Sequence, residues 1–372
     1  MMATRGRMTV SYDLRYASDH YPGVGTYAFR LLEALLALPS SAHFVVVWNP
    51  RLANGRFDLE VIRRHPRVTW VERPGLTLDL PGQWRLGRML RRLRPSVFFS
   101  PFYLVPLSAG DCPLVLTLHD VLPLRHPDTH SRTAGLAFRL AVWGARWARQ
   151  VVTVSEFSRD EIRALTGIRR LVVARPGASP VREGGTRPPS LPDGPFALVV
   201  GINKPHKNLE TVAAAWSRLG PEPPLRLVSA GPEDGRYPGL ERLAERHRAV
   251  GVTALGRVTE DELAWLYRQA RLMLFPSTYE GFGSPLAEAL AYGTPAAVAD
   301  IPPLREIGDG AAAFVTPRDP EAWATAVRDL GADEGRRTAM RVASLKRAAE
   351  LTYARTAETV LGLLEQVAGL RA

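Results

Sequence analysis

The residues best suited to chemistry cluster between Phe275 and Pro295. Glu280 precedes a turn of Gly281, Phe282 and Gly283; Ser284 and Pro285 follow, and Glu288 lies in the apolar stretch beyond. Glycines at such a turn let backbone approach a ligand closely. Ser284 is expected to be the N-cap of a helix, Pro285 its first residue, and Gly293 with Pro295 its stop. A helix N-terminus attracts anions, because its first N–H groups lack intrahelical partners and its dipole is positive there. Carboxylates beside it would repel a phosphate, yet they accept hydrogen bonds from hydroxyls. Glu280 therefore reads as a holder of sugar hydroxyls and Glu288 as a holder of a ribose diol. The plainer alternative is a solvated Glu280 and a helix-capping Glu288. The turn and cap between the two favour a site.

A second cluster lies upstream. The chain has three lysines among 48 basic residues, and two of them, Lys204 and Lys207, fall in the turn 201–208. A sequence that otherwise uses Arg keeps Lys where a compact ammonium is wanted. The turn follows an apolar strand, where a phosphate-binding turn belongs. Lys207 is the candidate that neutralises charge on a departing diphosphate. Lys204 and Asn203 are candidate companions in that clamp, against the alternative of a solvated surface turn.

The front half offers weaker signals. Gly23 and Gly25 lie between a first strand and an apolar helix expected to begin near Tyr27. Alone, a Gly-x-Gly is often only a tight turn. His119 ends an apolar run and is followed by Asp120. A strand-end histidine is commonly structural, but at the carboxyl edge of a sheet it can take part in catalysis, with Asp120 orienting it or an acceptor hydroxyl.

Elements that could position these residues are legible along the chain. Strands are expected at 8–14, 43–48, 96–100, 113–119, 150–154 and 170–174, with helices at 27–38, 83–93 and 134–149. The pattern then repeats: strands at 196–201, 225–230, 253–256, 272–276 and 296–299, helices at 209–219, 240–250, 261–270 and 285–292. Strands alternating with helices predict βαβ units and parallel sheets. The Pro/Gly-rich stretch 181–195 has no periodicity and reads as a linker. The expectation is thus an α/β chain of two Rossmann-like domains facing across a cleft. Residues 1–180 form the acceptor domain and 196–352 the donor domain. A terminal helix, 353–372, is available to pack back on the first domain.

Composition sets limits. A chain of 372 residues with 46% hydrophobic and 23% charged residues is globular and large enough for two cores. No run of eighteen apolar residues suggests a membrane span, no apolar signal core follows the first arginines, and the single cysteine fits a reducing cytoplasm. No Asp-x-Asp and no His/Cys cluster suggests a metal, and no cofactor is expected. Charge is uneven. Residues 1–180 carry 25 basic and 13 acidic residues, a net of +12, whereas residues 181–372 carry 23 and 24, a net of −1. That asymmetry predicts an anionic partner for the first domain. Stretches 83–94 and 138–149 combine Arg with Trp and Leu, which suits contact with an anionic membrane. A nucleic-acid surface is the rival reading. It is disfavoured because no nucleic-acid motif occurs and aromatics do not interleave with the arginines in a stacking pattern.

Taken together, Asp13-Leu14-Arg15, the stretch 22–27, Thr117-Leu118-His119-Asp120, the stretch 154–158, the stretch 201–208 and the Glu280/Glu288 pair resemble the GT-B glycosyltransferases of group 1, also called family 4. The hallmark of that family is two glutamates separated by seven residues. The resemblance spans nearly the whole chain. It implies a retaining, metal-independent transfer from a GDP- or UDP-sugar to a glycan, lipid-linked or other hydroxyl acceptor. It places Lys207 on the diphosphate, Gly23 and Gly25 in a loop facing diphosphate and acceptor, and His119 near the donor sugar. The motifs look most like mannosyl- or rhamnosyltransferases, which makes GDP-mannose the first expectation and a UDP-sugar enzyme of a secondary metabolite the alternative. One departure stands out. Many relatives carry an Arg shortly before the lysine, where this chain has Ile202 and Asn203.

Overall fold

A computed structural model describes residues 8–73, 80–127 and 131–370. Residues 1–7, 74–79, 128–130 and 371–372 lie outside the described residues, and with them the N-terminal arginines after which no signal core is expected. The chain divides into two compact units, Met1–Gly177 with Thr352–Ala372, and Ala178–Leu351.

In the first unit the described residues form a parallel sheet of β1 (Thr9–Asp13), β2 (His43–Trp48), β3 (Val68–Glu72), β4 (Val97–Ser100), β5 (Leu114–Thr117), β6 (Gln150–Thr153) and β7 (Leu171–Val173). Their spatial order is β3-β2-β1-β4-β5-β6-β7. Strands buried on both faces read as continuous apolar runs, and Phe98 and Phe99 show why. These neighbours point to opposite faces and enter two different cores. On one face, helices Pro22–Ala37 and Tyr353–Val367 pack through Leu31, Leu35, Val360 and Leu364 against Val10, Phe44 and Phe99. On the other, helices Leu80–Leu93 and Arg132–Gly144 bury Leu86, Leu90, Phe138 and Val142 against Phe98, Leu116 and Val151. The chain order reverses between β1 and β4, and such a reversal leaves a crevice at the carboxyl ends of the two strands.

The second unit repeats the plan. Its described strands are β8 (Phe196–Val200), β9 (Arg226–Ala230), β10 (Val252–Ala254), β11 (Leu272–Phe275), β12 (Ala296–Ala299) and β13 (Ala312–Val315). They are parallel in the order β10-β9-β8-β11-β12-β13. Here the reversal falls between β8 and β11, which pair through Leu272 with Ala197 and Met273 with Leu198.

Several expectations change on the structure. The first helix starts at Pro22, not near Tyr27, because proline in the first turn loses no hydrogen bond there. Gly23 and Gly25 are therefore helical rather than in a loop ahead of the helix. Strand β3 and the 312–315 strand were absent from the sequence reading. Both lie at sheet edges, and several of their side chains are only half-buried, so their apolar runs are weak. The 132–144 helix tightens into a 3-10 turn, Ala145–Trp147, instead of continuing to 149. Segment 181–195 is not a free tether. It packs along the second unit, where the Arg182 amide donates to the Tyr292 hydroxyl at 3.1 Å and its guanidinium pairs with Asp261 at 3.0 Å.

Candidate active site

In the second unit the two turns that leave β8 and β11 flank the point where strand order reverses, so residues far apart in sequence become neighbours. Backbone and amide bonds stitch the turns together. Asn208, in the left-handed region at φ 55°, donates through Nδ2 to the Pro276 carbonyl at 3.1 Å and the Pro317 carbonyl at 2.6 Å. The Thr278 amide donates to the His206 carbonyl at 2.8 Å. Between these anchors, Lys207 Nζ donates to Glu280 Oε1 at 2.6 Å, and both side chains are mostly buried. The ammonium also lies 5.2 Å from the centre of the Phe275 ring. It has three donors, so two remain for an anion while one holds the carboxylate.

Helix Ser284–Ala291 begins just beyond Glu280. Its N-cap is Gly283 at φ 112°, and Ser284 occupies the first helical turn, one position later than expected. Only glycine takes that backbone readily, and a Cβ on Gly283 would come within 2.7 Å of Leu304 Cδ2. The cap therefore supplies no side-chain acceptor; Pro285 has no N–H and the Leu286 amide donates to the Gly283 carbonyl at 2.9 Å, so within the first turn the Ser284 amide is the one that can meet a ligand. Ser284 is exposed, whereas Gly281 and Phe282 are buried.

Glu288 is held from two sides. Its Oε1 accepts from Ser179 Oγ at 3.2 Å and its Oε2 accepts from Tyr267 OH at 3.0 Å. Burial, reinforced by the Glu288 charge, drives the Tyr267 hydroxyl well above its ordinary value, so it stays protonated and acts as donor. Tyr267 also stacks on Tyr292 with ring centres 5.5 Å apart. Neither Tyr267 nor Ser179 was singled out from sequence. Ser179 lies outside any motif, and a lone tyrosine in a helix reads as core.

Asn203 is committed elsewhere. Its amide donates to the Asp234 and Tyr237 carbonyls at 3.2 and 2.8 Å, and its oxygen accepts from the Asp234 amide at 2.5 Å. It fastens the loop after β9 and leaves no amide proton for a phosphate, contrary to the expectation that it joins Lys207 in the clamp. Lys204 is half-buried and lies near Asp234, whose carboxyl is held down to about 2 by the Arg236 guanidinium, with Lys204 adding to the effect.

In the first unit, His119 lies two residues past β5. Its Nε2 is 2.9 Å from the Pro101 carbonyl, and its ring meets Tyr27 edge-on at 4.8 Å. A carbonyl only accepts, so Nε2 carries the proton and Nδ1 keeps its lone pair. Burial lowers the imidazole to about 4, against a small upward pull from the Pro101 bond, so the ring is neutral near pH 7. Asp120 accepts from the Leu122 amide at 2.8 Å and so starts a short helix. Near the same sheet edge, Asp13 and Arg15 form a buried bidentate ion pair at 2.8 Å, which the sequence reading noted only as part of a motif. Gly25 is where the first helix approaches backbone most closely, since a Cβ there would meet the Tyr16 carbonyl at 2.7 Å; around Gly23 there is nothing within 4 Å.

Two doubly wound α/β units, one with a Lys–Glu couple and a helix N-terminus at its strand-order reversal, form the kind of arrangement that binds ligands at the carboxyl ends of its strands. Comparison with known proteins agrees. The family described as glycosyltransferase family 4 matches residues 21–182, and the one described as glycosyl transferases group 1 matches residues 187–347. The chain belongs to the group 1 glycosyltransferases and has their GT-B fold. It is 26% identical over 330 residues to O-antigen chain mannosyltransferase B of Escherichia coli, covering 81% of this chain and 85% of that one. It is likewise 26% identical to O-antigen chain mannosyltransferase RfbU of Salmonella typhimurium, over 67% of this chain and 71% of that one. Among solved structures, sucrose-phosphate synthase from Thermosynechococcus elongatus superposes with a TM-score of 0.73 at 20% identity, covering 98% of this chain and all of that one. Anabaena HepE in complex with UDP superposes with a TM-score of 0.68 at 17% identity, covering 96% of this chain and all of that one. Among the described residues no helix is long and apolar enough to cross a membrane.

Proposed function

We propose that the protein transfers mannose from GDP-mannose to a hydroxyl acceptor, glycan or lipid-linked, with retention of anomeric configuration and without a metal. The observation that carries this reading is the Lys207–Glu280 pair beside the open N-terminus of the 284–291 helix. Lys207 and the Ser284 amide at the positive end of the helix take the diphosphate, offsetting its charge as it leaves. Glu280 holds sugar hydroxyls, and Glu288, aimed by Tyr267 and Ser179, accepts from the ribose diol. The bond from the sugar's anomeric carbon to the diphosphate oxygen breaks. The acceptor oxygen bonds to the same face of that carbon, and its proton passes to the leaving phosphate. His119, neutral with Nδ1 free to accept, serves a hydroxyl rather than donating a proton. The mannosyltransferase relatives support the sugar, and the +12 balance of residues 1–180 supports an anionic acceptor.

Donor hydrolysis and nucleotide-protection assays across GDP-mannose and UDP-hexoses, in excess chelator, test this reading. Turnover of GDP-mannose to an α-configured product with chelator present is expected. Preference for a UDP-sugar would move the donor to the alternative. Inversion, or loss of activity restored by Mg²⁺, would remove the proposed mechanism.

A further inference from the structure

The outer face of the 132–144 helix and its 3-10 extension is apolar where a surface should be polar. Leu136 and Leu140 are each 60% exposed, Trp143 is 54% exposed and Trp147 60%. Their spacing of four, three and four residues keeps them on one stripe of a helix with 3.6 residues per turn. The opposite side, Phe138 and Val142, is already buried on the sheet, so among the described residues the stripe is the face of this helix left largely uncovered. Contiguous exposed apolar surface of this kind marks an interaction site.

Charge decides what the partner is. Exposed Arg132, Arg139 and Arg146 run along one edge of the stripe, and no Asp or Glu occurs between residues 131 and 155. Helix Leu80–Leu93 buries Leu86 and Leu90 in the same core as Phe138 and Val142, so its outer face lies on the same side of the sheet. That face carries exposed Trp84, Arg85, Arg88, Arg91 and Arg92, with Arg88 over the Trp84 ring at 4.6 Å. Trp and Leu beside Arg, with no acid, is the chemistry of an interfacial helix on anionic lipid. We propose that this side of the first unit docks on an anionic bilayer, with Leu136, Leu140, Trp143 and Trp147 entering the headgroup boundary and the arginines meeting lipid phosphates. The inference extends the acceptor side of the function proposed above.

The test is co-sedimentation of the full chain with phosphatidylcholine vesicles, with and without phosphatidylglycerol, alongside a GDP titration on the same preparation. Wild type should bind only the anionic vesicles, more weakly as salt rises. Leu140→Gln with Trp143→Gln, and separately Arg132→Gln with Arg139→Gln, should each weaken vesicle binding at least about tenfold. Neither pair should alter GDP affinity. Absent wild-type binding, equal binding to neutral vesicles, or variants that bind like wild type would overturn the proposal. So would a concentration-dependent dimer abolished by the Leu/Trp variant, which would assign the stripe to a second copy of the chain. Vesicle binding as expected in a protein that takes up no nucleotide would support this proposal and count against the donor site instead.

Discussion

Lys207 Nζ and Glu280 Oε1, 73 positions apart in sequence, lie 2.6 Å apart. Two side chains from turns that leave different strands thus meet as an ion pair. The pairing keeps a mostly buried ammonium from being left uncompensated, and it aims both groups at the same point.

Glu280→Gln tests that pairing. The substitution preserves volume but replaces a charged acceptor with a neutral amide, weakening its hold on both sugar hydroxyls and Lys207. Turnover should fall at least about tenfold, with the circular dichroism spectrum unchanged. Near wild-type kcat with an intact fold would return Glu280 to a structural role.

Tyr267→Phe removes one donor that orients Glu288 and leaves the ring stack on Tyr292 in place. Loss of a bond to a charged acceptor costs roughly 1.5–3 kcal/mol when the acceptor stays buried, and less where a water can replace it. KM for the donor should therefore rise about tenfold, with kcat changing less. A pure stability loss with unchanged KM would show that Tyr267 only packs.

The two glycines of the first helix should separate. Gly25→Ala drives a Cβ against the Tyr16 carbonyl and should destabilise the protein by about 1–3 kcal/mol. Gly23→Ala meets nothing within 4 Å and should be neutral or stabilising by up to about 1 kcal/mol. Thermal unfolding reads both. If Gly23→Ala is stable yet inactive, that glycine makes room for a ligand; if it is stable and active, it has no such role.

His119 makes stability depend on pH. Its folded value is about 4, below the ordinary 6.5, so the unfolded chain takes up the proton first as pH falls. The contribution is complete above about pH 6.5 and is lost progressively down to pH 4. Because the residue is half-buried, about 2 kcal/mol is the expected loss. His119→Gln can still donate to the Pro101 carbonyl but cannot titrate. Denaturant unfolding of both proteins should show wild type losing stability relative to the variant over that window. Parallel curves would mean the imidazole is open to water.

Sequence alone determined the repeating strand–helix plan, because strands buried on both faces must be written as unbroken apolar runs such as 43–48 and 97–100. It also singled out Glu280, Glu288 and Lys207, since scarce lysines and a Gly-rich turn before a helix are local signals. It could not bring those residues together. Lys207 meets Glu280 only because β11 pairs with β8, a long-range choice that no local pattern records. Nor could it show that Asn203 is spent on the 234–237 loop, that Tyr267 and Ser179 hold Glu288, or that the first helix takes in Gly23 and Gly25. Hydrogen-bond partners distant in sequence are set by packing, and so is the side of a helix left bare. The Arg- and Trp-bearing stretch 138–149 was visible as composition. That Phe138 and Val142 turn inward while Leu140, Trp143 and Trp147 stay outside was decided by the sheet they pack against.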